Sequence, residues 1–547
     1  IFTTAADQLG VAYDRAIVVE DAVSGVAAGR AGNFGLVLGI ARENNDQELY
    51  TGGADIVIKD IEEIGFEGLE EWFLEKLPYD NTNIIYYRLD KGLEKTRESL
   101  LTIGNGYFGS RGAMEDSVAG EHHYPATYMA GLYNRLDSKV GDRSITNEDF
   151  VNAINWLSVT FRIDGGEWFR PDDTEILSLR RRLHIHKGFL CRKMIVRDKN
   201  GRETLIHSRR FASMDNPHMA GIRYEVTPLN YSGKIEIRSD LSGDHINDGV
   251  ARYRSLNQKH LEAVKEGHRD EIQFIEVKTS QSAIHIAAAA RITVELNKEE
   301  IRPYTHQETS PARTSTMISH HVDQGQAIAL VKRCSIYRSS DDEGFDDPLG
   351  AAIGALENLP GFQDLLEASI SAWEKIWRKA DIRLEGDRLA QKLLSLHIYH
   401  MIVSISPHNA GIDAGIPARG LHGEAYRGHI FWDEIYILPF YYMHVPRAAK
   451  AVLNYRFNRL EEARKYANEY NEHGAMFPWQ SGSDGREETQ VIHLNPVSGE
   501  WGPDHSSLQR HVSLAIAYNV IEYFHYTEDE SFLEHGAELL IEISRFW

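Results

Sequence analysis

The spacing of apolar and polar residues first predicts an α/β unit at the start of the chain. Short apolar runs at residues 16–19, 36–40 and 56–58 are typical of strands, and the small-residue run at 22–31 is typical of a helix. Strands that alternate with helices form parallel sheets, in which ligands bind at the carboxyl ends of the strands. We therefore predict an α/β unit over residues 1–75.

A different pattern, with a period of two residues, covers residues 84–341. Short alternating runs separated by Gly, Asn and Asp predict antiparallel strands, and so many of them indicate a large β-sandwich. The predicted strands are 159–163, 193–196, 219–226, 233–239, 272–277, 284–288, 291–295 and 327–336. The glycine-rich segment LTIGNGYFGSRG at 101–112 is expected either to line a site or to cross the sandwich.

Helical spacing dominates the remainder of the chain. Residues 342–385 predict a helical linker that packs on the sandwich through Trp373, Ile376 and Trp377. From residue 386 to 547, long helices separated by polar, glycine-rich loops favour an α/α barrel whose inner helix ends surround a pocket. The helices are predicted at 389–402, 448–466, 508–524 and 532–546. Residues 76–83 (KLPYDNTN) predict a linker between the first two units.

Composition narrows the classes of partner and compartment. The chain has 59 basic and 81 acidic residues, a net charge of −22, which disfavours nucleic acid and anionic membranes as partners. Its two cysteines cannot form a disulfide framework, and neither a signal peptide nor a long apolar run is evident, so we expect a cytoplasmic protein. Both ends stop inside helical patterns, and we expect a piece of a longer polypeptide, cut at both ends.

An acidic pair follows the first predicted strand. Glu20 and Asp21 would lie at the carboxyl end of that strand, where carboxylate oxygens suit Mg²⁺. Asp21 could instead cap the following helix. The wording VVEDAVSGVAAGRAGNFGLVLGI resembles the last third of β-phosphoglucomutase and other members of the haloacid dehalogenase superfamily. The resemblance implies that Glu20 and Asp21 belong to a metal site. The family's nucleophilic aspartates precede this segment, so the unit should not be catalytic by itself.

Candidate chemistry concentrates in three clusters within the helical part. The first is GIDAGIPARGLHGEAYRGHIFWDE at 411–434, the second GAMFPWQSGSDGREE at 474–488, and the third lies at 493–511. Aromatic rings stack on the apolar faces of sugars, and carboxylates accept hydrogen bonds from sugar hydroxyls. The clusters supply the aromatic residues Trp432, Trp479 and Trp501 and the carboxylates Asp433, Glu487, Glu488 and Glu500. A polar loop that merely caps a helix is the structural alternative.

Glycoside transfer explains this combination of residues. A carboxylic acid must protonate the leaving oxygen, and inversion needs an attacker on the opposite face, either a water held by a second carboxylate or an inorganic phosphate. The acid must keep its proton near pH 7, so burial or a neighbouring like charge should raise its pKa. Glu487 and Glu488, beside Trp479, are candidates, and a solvated charge pair is the alternative.

The same motifs identify a family. From residue 84 onward the chain resembles glycoside hydrolase family 65 in LTIGNGYFGSRG, WEKIW, GLHGEAYRGHIFWDE, GAMFPWQSG and RHVSLAIAYNV, in that order. The family comprises inverting phosphorylases of maltose, trehalose, kojibiose and related disaccharides, and some hydrolases. The resemblance implies an antiparallel β-sandwich, a helical linker and an (α/α)6 barrel, here truncated at its C-terminus. With the α/β fragment that precedes them, we expect a multidomain chain. The resemblance also implies a homodimer.

Site residues carry over by matching motifs. Trp432 and Asp433 match the pair that holds the sugar whose bond is cleaved, and Arg427 and His429 belong to the same loop. Glu488 matches the family's general acid. The local sequence GREET also allows the match to fall on the adjacent Glu487. Glu500 is a third candidate acid, and Trp479 is a further substrate-binding residue. We place His511 outside the site as a structural or rim residue.

The predicted reaction is inverting phosphorolysis of an α-glucosidic disaccharide of the maltose, trehalose or kojibiose type. It needs disaccharide and phosphate but no cofactor, and the product is β-glucose 1-phosphate, the substrate of a β-phosphoglucomutase. Fusion to a mutase-like unit, which would use Mg²⁺ when complete, therefore favours phosphorolysis. The alternatives are an inverting α-glucoside hydrolase and a non-catalytic carbohydrate-binding fragment.

Overall fold

The structure is a computed structural model that describes residues 1–42, 45–74, 82–339, 347–495 and 497–547. Most of the predicted linker 76–83, the predicted boundary at residue 75 and the boundary at 341–342 lie outside the described residues.

The first unit is a small α/β layer, as predicted. Its three strands pair in parallel in the order β1-β2-β3, so their carboxyl ends share one edge. The elements are β1 (Ile17–Glu20), β2 (Leu36–Ile40), β3 (Ile56–Ile58), α1 (Phe2–Leu9), α2 (Val23–Ala31), α3 (Asp46–Thr51) and α4 (Gly65–Leu74). Aliphatic side chains of β2 and β3 also pack against Tyr87 of the next unit.

The second unit is an antiparallel β-sandwich, which confirms the period-two prediction. A large sheet runs β16-β17-β18-β22-β14-β13-β12-β11-β4, and it packs on a smaller sheet, β10-β15-β21-β20, around one apolar core. The strands are β4 (Asn83–Tyr86), β5 (Ile103–Gly104), β6 (Phe108–Ser110), β7 (Thr127–Met129), β8 (Tyr133–Val140), β9 (Arg143–Phe150), β10 (Val159–Ile163), β11 (Glu175–His184), β12 (Phe189–Arg197), β13 (Glu203–Ala212), β14 (Met219–Pro228), β15 (Gly233–Ser242), β16 (Leu261–Arg269), β17 (Ile272–Thr279), β18 (His285–Leu296), β19 (Glu299–Ile301), β20 (Tyr304–Ser310), β21 (Arg313–Val322) and β22 (Ile328–Arg338). A short helix, α5 (Glu94–Leu100), precedes β5.

Two predicted strands prove to be one. The runs at 284–288 and 291–295 belong to the single strand β18, which pairs with β17 on one side and β22 on the other. The intervening Ala289 and Ala290 are fully buried between the layers. A central strand that is covered on both faces carries apolar residues on both of them. The alternation of apolar and polar residues that predicts a strand is therefore interrupted in the middle of β18.

The glycine-rich segment 101–112 joins the sandwich to the helical part. A side chain at Gly109 would lie 2.7 Å from Leu421, and one at Gly104 would lie 2.8 Å from Val403. Glycine at these positions lets the backbone of β5 and β6 approach the helical domain closely. The segment therefore packs against the helical domain, a role that neither of the two expected alternatives describes.

The third unit is helical, as predicted. Its elements are α6 (Pro348–Gly354), α7 (Phe362–Ala380), α8 (Arg388–Ser404), α9 (Glu434–His444), α10 (Pro446–Phe457), α11 (Leu460–Glu469), α12 (Val512–Thr527) and α13 (Leu533–Phe546), with the short strands β23 (Ile492–Leu494) and β24 (Trp501–Pro503) between α11 and α12. Trp373 of α7 is fully buried and stacks on Tyr399 of α8, so the linker helix connects sandwich and helices.

The predicted helix at 448–466 is two helices, α10 and α11. The break falls at Asn458 and Arg459, and the Arg459 guanidinium contacts the Ser483 carbonyl and the Asp413 carboxylate. Long-range contacts to two loops thus end a helix whose local pattern would allow it to continue. Within the described residues, the helices are too short or too polar to cross a membrane.

Candidate active site

Two of the three predicted clusters meet at a backbone bridge. Ile430 and Ser481 exchange both backbone hydrogen bonds, at 2.9 and 3.0 Å, as an isolated antiparallel bridge. The bridge lies two residues before Trp432 and two residues after Trp479. It therefore sets the spacing between the two loops that carry the predicted sugar-binding tryptophans.

An aromatic group forms around this bridge. The His511 ring contacts the Trp432 ring edge-on at 5.1 Å between centroids and the Trp479 ring at 5.4 Å. Phe431 also contacts Trp479 edge-on, at 5.4 Å between centroids. We placed His511 outside the site as a structural or rim residue; its ring contacts both tryptophans, and its structural role stays a prediction. Sequence spacing could not show these contacts, since His511 begins a helix 79 residues after Trp432.

Asp433 stands at the amino end of α9 with its side chain exposed. It makes no capping hydrogen bond to its own helix, so its carboxylate is available to a ligand. Partial desolvation raises its pKa, which the Arg419 charge partly opposes. Its neighbour Glu434 is buried and paired with Arg456 at 2.7 Å, and that pair anchors the start of the helix.

A hairpin of the sandwich, β8–β9, completes this region. Arg135 of β8 lies 2.6 Å from Glu488, 2.9 Å from Asp484 and 3.3 Å from Glu148 of β9. Burial is the main cause that raises the pKa of Glu488 to about 7, the Glu148 charge adds to it, and Arg135 opposes it. The Glu488 side chain keeps 10% of its surface exposed. The sequence gives no spacing that connects Arg135 to Glu488, and we did not predict this contact.

The structure separates the two adjacent candidates for the acid. Glu487 accepts hydrogen bonds from the backbone of Trp479 (2.7 Å), Gln480 (3.1 Å) and Thr489 (3.0 Å), and from the Thr489 hydroxyl (2.7 Å). Such a carboxylate holds its own loop together. Glu488, by contrast, faces the charged residues of the hairpin. Glu500, the third candidate, lies exposed beside β24.

Arg427 and His429, predicted as sugar contacts, are turned towards the sandwich. Arg427 is 3% exposed, pairs with Asp149 and lies 4.2 Å from the centroid of the Tyr253 ring. His429 is fully buried, with Nε2 2.9 Å from the Glu148 carbonyl and Nδ1 3.0 Å from the Gln480 amide. Neither side chain offers an exposed surface to a sugar in this arrangement.

A group of potential metal ligands occurs at the same place. One ligand atom each from Glu148, His429 and Glu488 lies within 4.8 Å of the others. Arg135 already supplies positive charge to both carboxylates, and both His429 nitrogens are engaged. We therefore assign no metal to this group.

The predicted magnesium site lies at the expected sheet edge but does not fit the ion by itself. Asp21 pairs with the guanidinium of Arg42 at 2.8 Å. Arg42 follows the carboxyl end of β2 in the chain. Among the described residues, Glu20 and Asp21 have no third ligand that would form a compact metal-binding group with them. Magnesium binding by the complete unit stays a prediction.

A further titratable carboxyl lies in the first cluster. Glu424 is 5% exposed and accepts hydrogen bonds from the Tyr124 hydroxyl (2.9 Å) and the Gly249 amide. Burial raises its pKa to about 7. The proton on Glu424 therefore stabilises the folded state, and this contribution is lost as the pH rises through about 7.

We expect Glu424→Gln to reverse that loss. The free energy of unfolding of the variant, relative to wild type, should increase between about pH 4.5 and 7, by up to about 3 kcal/mol, because glutamine mimics the protonated acid. Urea unfolding at pH 5 and pH 8 measures the effect. A difference in stability that does not change with pH would contradict the assignment.

Comparison with known proteins gives the same fold. A structure described as a putative kojibiose phosphorylase from human microbiome superposes with a TM-score of 0.73 at 21% sequence identity, covering 86% of this chain and 59% of that chain. At this identity the likeness concerns the fold alone: a β-sandwich followed by a helical domain.

Sequence comparison assigns the family. An uncharacterized glycosyl hydrolase of Mycobacterium tuberculosis is 40% identical over 472 residues, 86% of this chain and 35% of that protein. The kojibiose phosphorylase of Caldanaerobacter subterraneus is 34% identical over 508 residues, 90% of this chain and 61% of that protein. The chain thus spans about a third of the first relative and under two thirds of the second. Residues 84–376 match the N-terminal domain of glycosyl hydrolase family 65, and residues 395–547 match its central catalytic domain. The chain therefore belongs to glycosyl hydrolase family 65.

Proposed function

We propose that the complete protein catalyses inverting phosphorolysis of an α-glucosidic disaccharide, releasing β-glucose 1-phosphate. The observation that carries the proposal is the joining of the Trp432 and Trp479 loops at one bridge, beside Asp433 and Glu488. The phosphorylase activity named for the Caldanaerobacter relative supports the choice of reaction.

Each residue has a separate part in the proposed reaction. Trp432 and Trp479 provide apolar faces for the sugar rings, and His511 holds these two rings apart. Asp433 accepts hydrogen bonds from hydroxyls of the sugar whose bond is cleaved. Arg427 and His429 support the loop from behind instead of contacting the sugar.

Glu488 is the proposed proton donor to the leaving oxygen. A pKa of about 7 leaves a large share of the carboxyl groups protonated at neutral pH, which a general acid requires. Arg135 favours the carboxylate form that remains after transfer, so the same contact stabilises the acid's product. Phosphate attacks the opposite face of the sugar, which inverts the anomeric carbon.

The domain arrangement of the complete protein is part of the proposal. Helices α8 to α13 form part of an (α/α)6 barrel, and the α/β unit is part of a β-phosphoglucomutase-like domain of the haloacid dehalogenase type. A mutase that consumes β-glucose 1-phosphate would draw the reversible phosphorolysis forward.

The expected result is phosphate-dependent cleavage by the full-length protein. The protein is incubated with maltose, trehalose or kojibiose, with and without inorganic phosphate. Glucose and glucose 1-phosphate are quantified, and the anomeric form of the glucose 1-phosphate is determined. We expect β-glucose 1-phosphate from at least one disaccharide and no cleavage without phosphate. Release of free glucose that is indifferent to phosphate would replace the proposal with hydrolysis. Binding without cleavage would leave a carbohydrate-binding role.

A further inference from the structure

The loop that leads to Trp432 adopts an unusual backbone conformation. Tyr426, Arg427 and Gly428 all have left-handed backbone angles, with φ of 58°, 57° and 67°. Single residues visit this region, whereas successive non-glycine residues there are strained. Such strain persists only where the surroundings hold it, and it concentrates at functional sites.

The restraints on this loop come from the sandwich. Asp149 of β9 pairs with Arg427, and the Tyr133 hydroxyl of β8 donates to the Gly428 carbonyl at 2.6 Å. The Glu148 carbonyl accepts from His429 at 2.9 Å. A side chain at Gly428 would lie 2.3 Å from Cβ of Phe150, so β9 packs directly against the loop backbone.

The loop that the hairpin restrains continues directly into the candidate site. His429 is followed by Ile430, which forms the bridge to Ser481, and Trp432 and Asp433 follow two and three residues later. The carboxylate of Glu148 also accepts from the Ser483 amide at 2.8 Å, so the same hairpin restrains the second loop. Both loops of the site are therefore fixed to one β-hairpin of another domain.

We propose that the β8–β9 hairpin is a positioning element of the sugar site, with Asp149 and Tyr133 as positioning residues that act through the left-handed loop on Trp432 and Asp433. This inference rests on the proposed sugar site. The hairpin residues need not contact the sugar; they hold the two loops at the separation that the sugar requires. A displacement of about 1 Å at a reacting centre can cost about 10²-fold in rate.

The proposal predicts that Asp149→Asn and Tyr133→Phe impair the site beyond their effect on stability. The chain offers a matched control for each variant. Asp116→Asn also removes a buried carboxylate from an arginine, Arg192, with contacts of 2.6 and 2.7 Å. Tyr399→Phe also removes a buried hydroxyl that donates to a carbonyl, that of Thr102 at 3.1 Å.

The four variants of the full-length protein are compared for Tm, for kcat and KM, and for quenching of tryptophan fluorescence by glucose. We expect all four to lower Tm. Asp149→Asn should lower kcat/KM by about tenfold or more and Tyr133→Phe by about threefold or more, with weaker glucose quenching, since small misplacements of reacting groups reduce rates steeply. The two controls should stay within about twofold of wild type in these measurements.

The inference is overturned if the hairpin variants match their controls in kcat/KM and in glucose quenching. If Asp149→Asn does not fold, the comparison of Tyr133→Phe with Tyr399→Phe decides. The fluorescence measurement separates this inference from the proposed function. A protein that cleaves no disaccharide but loses glucose quenching in the hairpin variants would refute phosphorolysis and retain the positioning role.

Discussion

Replacing Glu488 with glutamine is expected to lower the kcat of phosphorolysis by about 10²–10⁴-fold, because general acid catalysis contributes rate factors of this size. Glutamine keeps the shape of the side chain but has no proton to give to the leaving oxygen. Sugar binding, measured by fluorescence quenching, should change little. The rate of the wild-type enzyme should fall as the pH rises through about 7, where Glu488 loses its proton. This decrease should be absent from the pH–rate profile of the variant.

Glu487→Gln is the matched control for this experiment. Glu487 accepts four hydrogen bonds of 3.1 Å or shorter from its own loop. Its replacement should therefore lower Tm, whereas kcat should fall much less than in Glu488→Gln. If Glu488→Gln retains wild-type kcat, the proton donor is another carboxylate of the complete polypeptide. Glu488 would then be left with its structural pairing to Arg135.

Replacing Asp433 with asparagine is expected to lower kcat/KM by about 10²-fold. A charged acceptor makes hydrogen bonds worth about 1.5–3 kcal/mol each, and an amide at this position keeps the volume but loses the charge. The start of α9 should remain in place because Glu434 and Arg456 hold it. Steady-state kinetics with the preferred disaccharide measures the effect.

Asp413→Asn provides the control for Asp433. Asp413 is an exposed carboxylate of the same loop, and it pairs with Arg459 at 2.8 Å. Its replacement should leave kcat/KM within about twofold of wild type, since exposed ion pairs contribute little. Equal losses in the two variants would indicate that loop stability, and not sugar contact, is the property affected.

Both the sandwich and the helical domain contribute residues to the candidate site. The helical domain carries the tryptophans and the candidate acid, while the sandwich supplies Arg135, Glu148 and Asp149 from one hairpin. The two strands of this hairpin pair along their whole length, from Tyr133 opposite Phe150 to Val140 opposite Arg143. Mutations in the β8–β9 hairpin are therefore expected to alter the kinetics as well as the stability.

Local patterns determined the elements and the family of this protein. Period-two alternation and helical spacing depend only on neighbouring residues, so strands such as β10 and β2 were predicted at their observed bounds. The same locality explains the errors: β18 lost its alternation because both faces are covered, and α10 ends where Arg459 meets two distant loops.

The motif GLHGEAYRGHIFWDE predicts a sugar site from its sequence alone, through the tryptophan and carboxylate at its end. Tertiary structure decided which way each side chain faces. Arg427 and His429 turn towards the sandwich because buried charges and imidazoles need partners, and the β8–β9 hairpin provides them. Arg135 lies 353 residues from Glu488 in the chain. Their contact depends on the docking of two domains, and sequence spacing carries no information about such a distance.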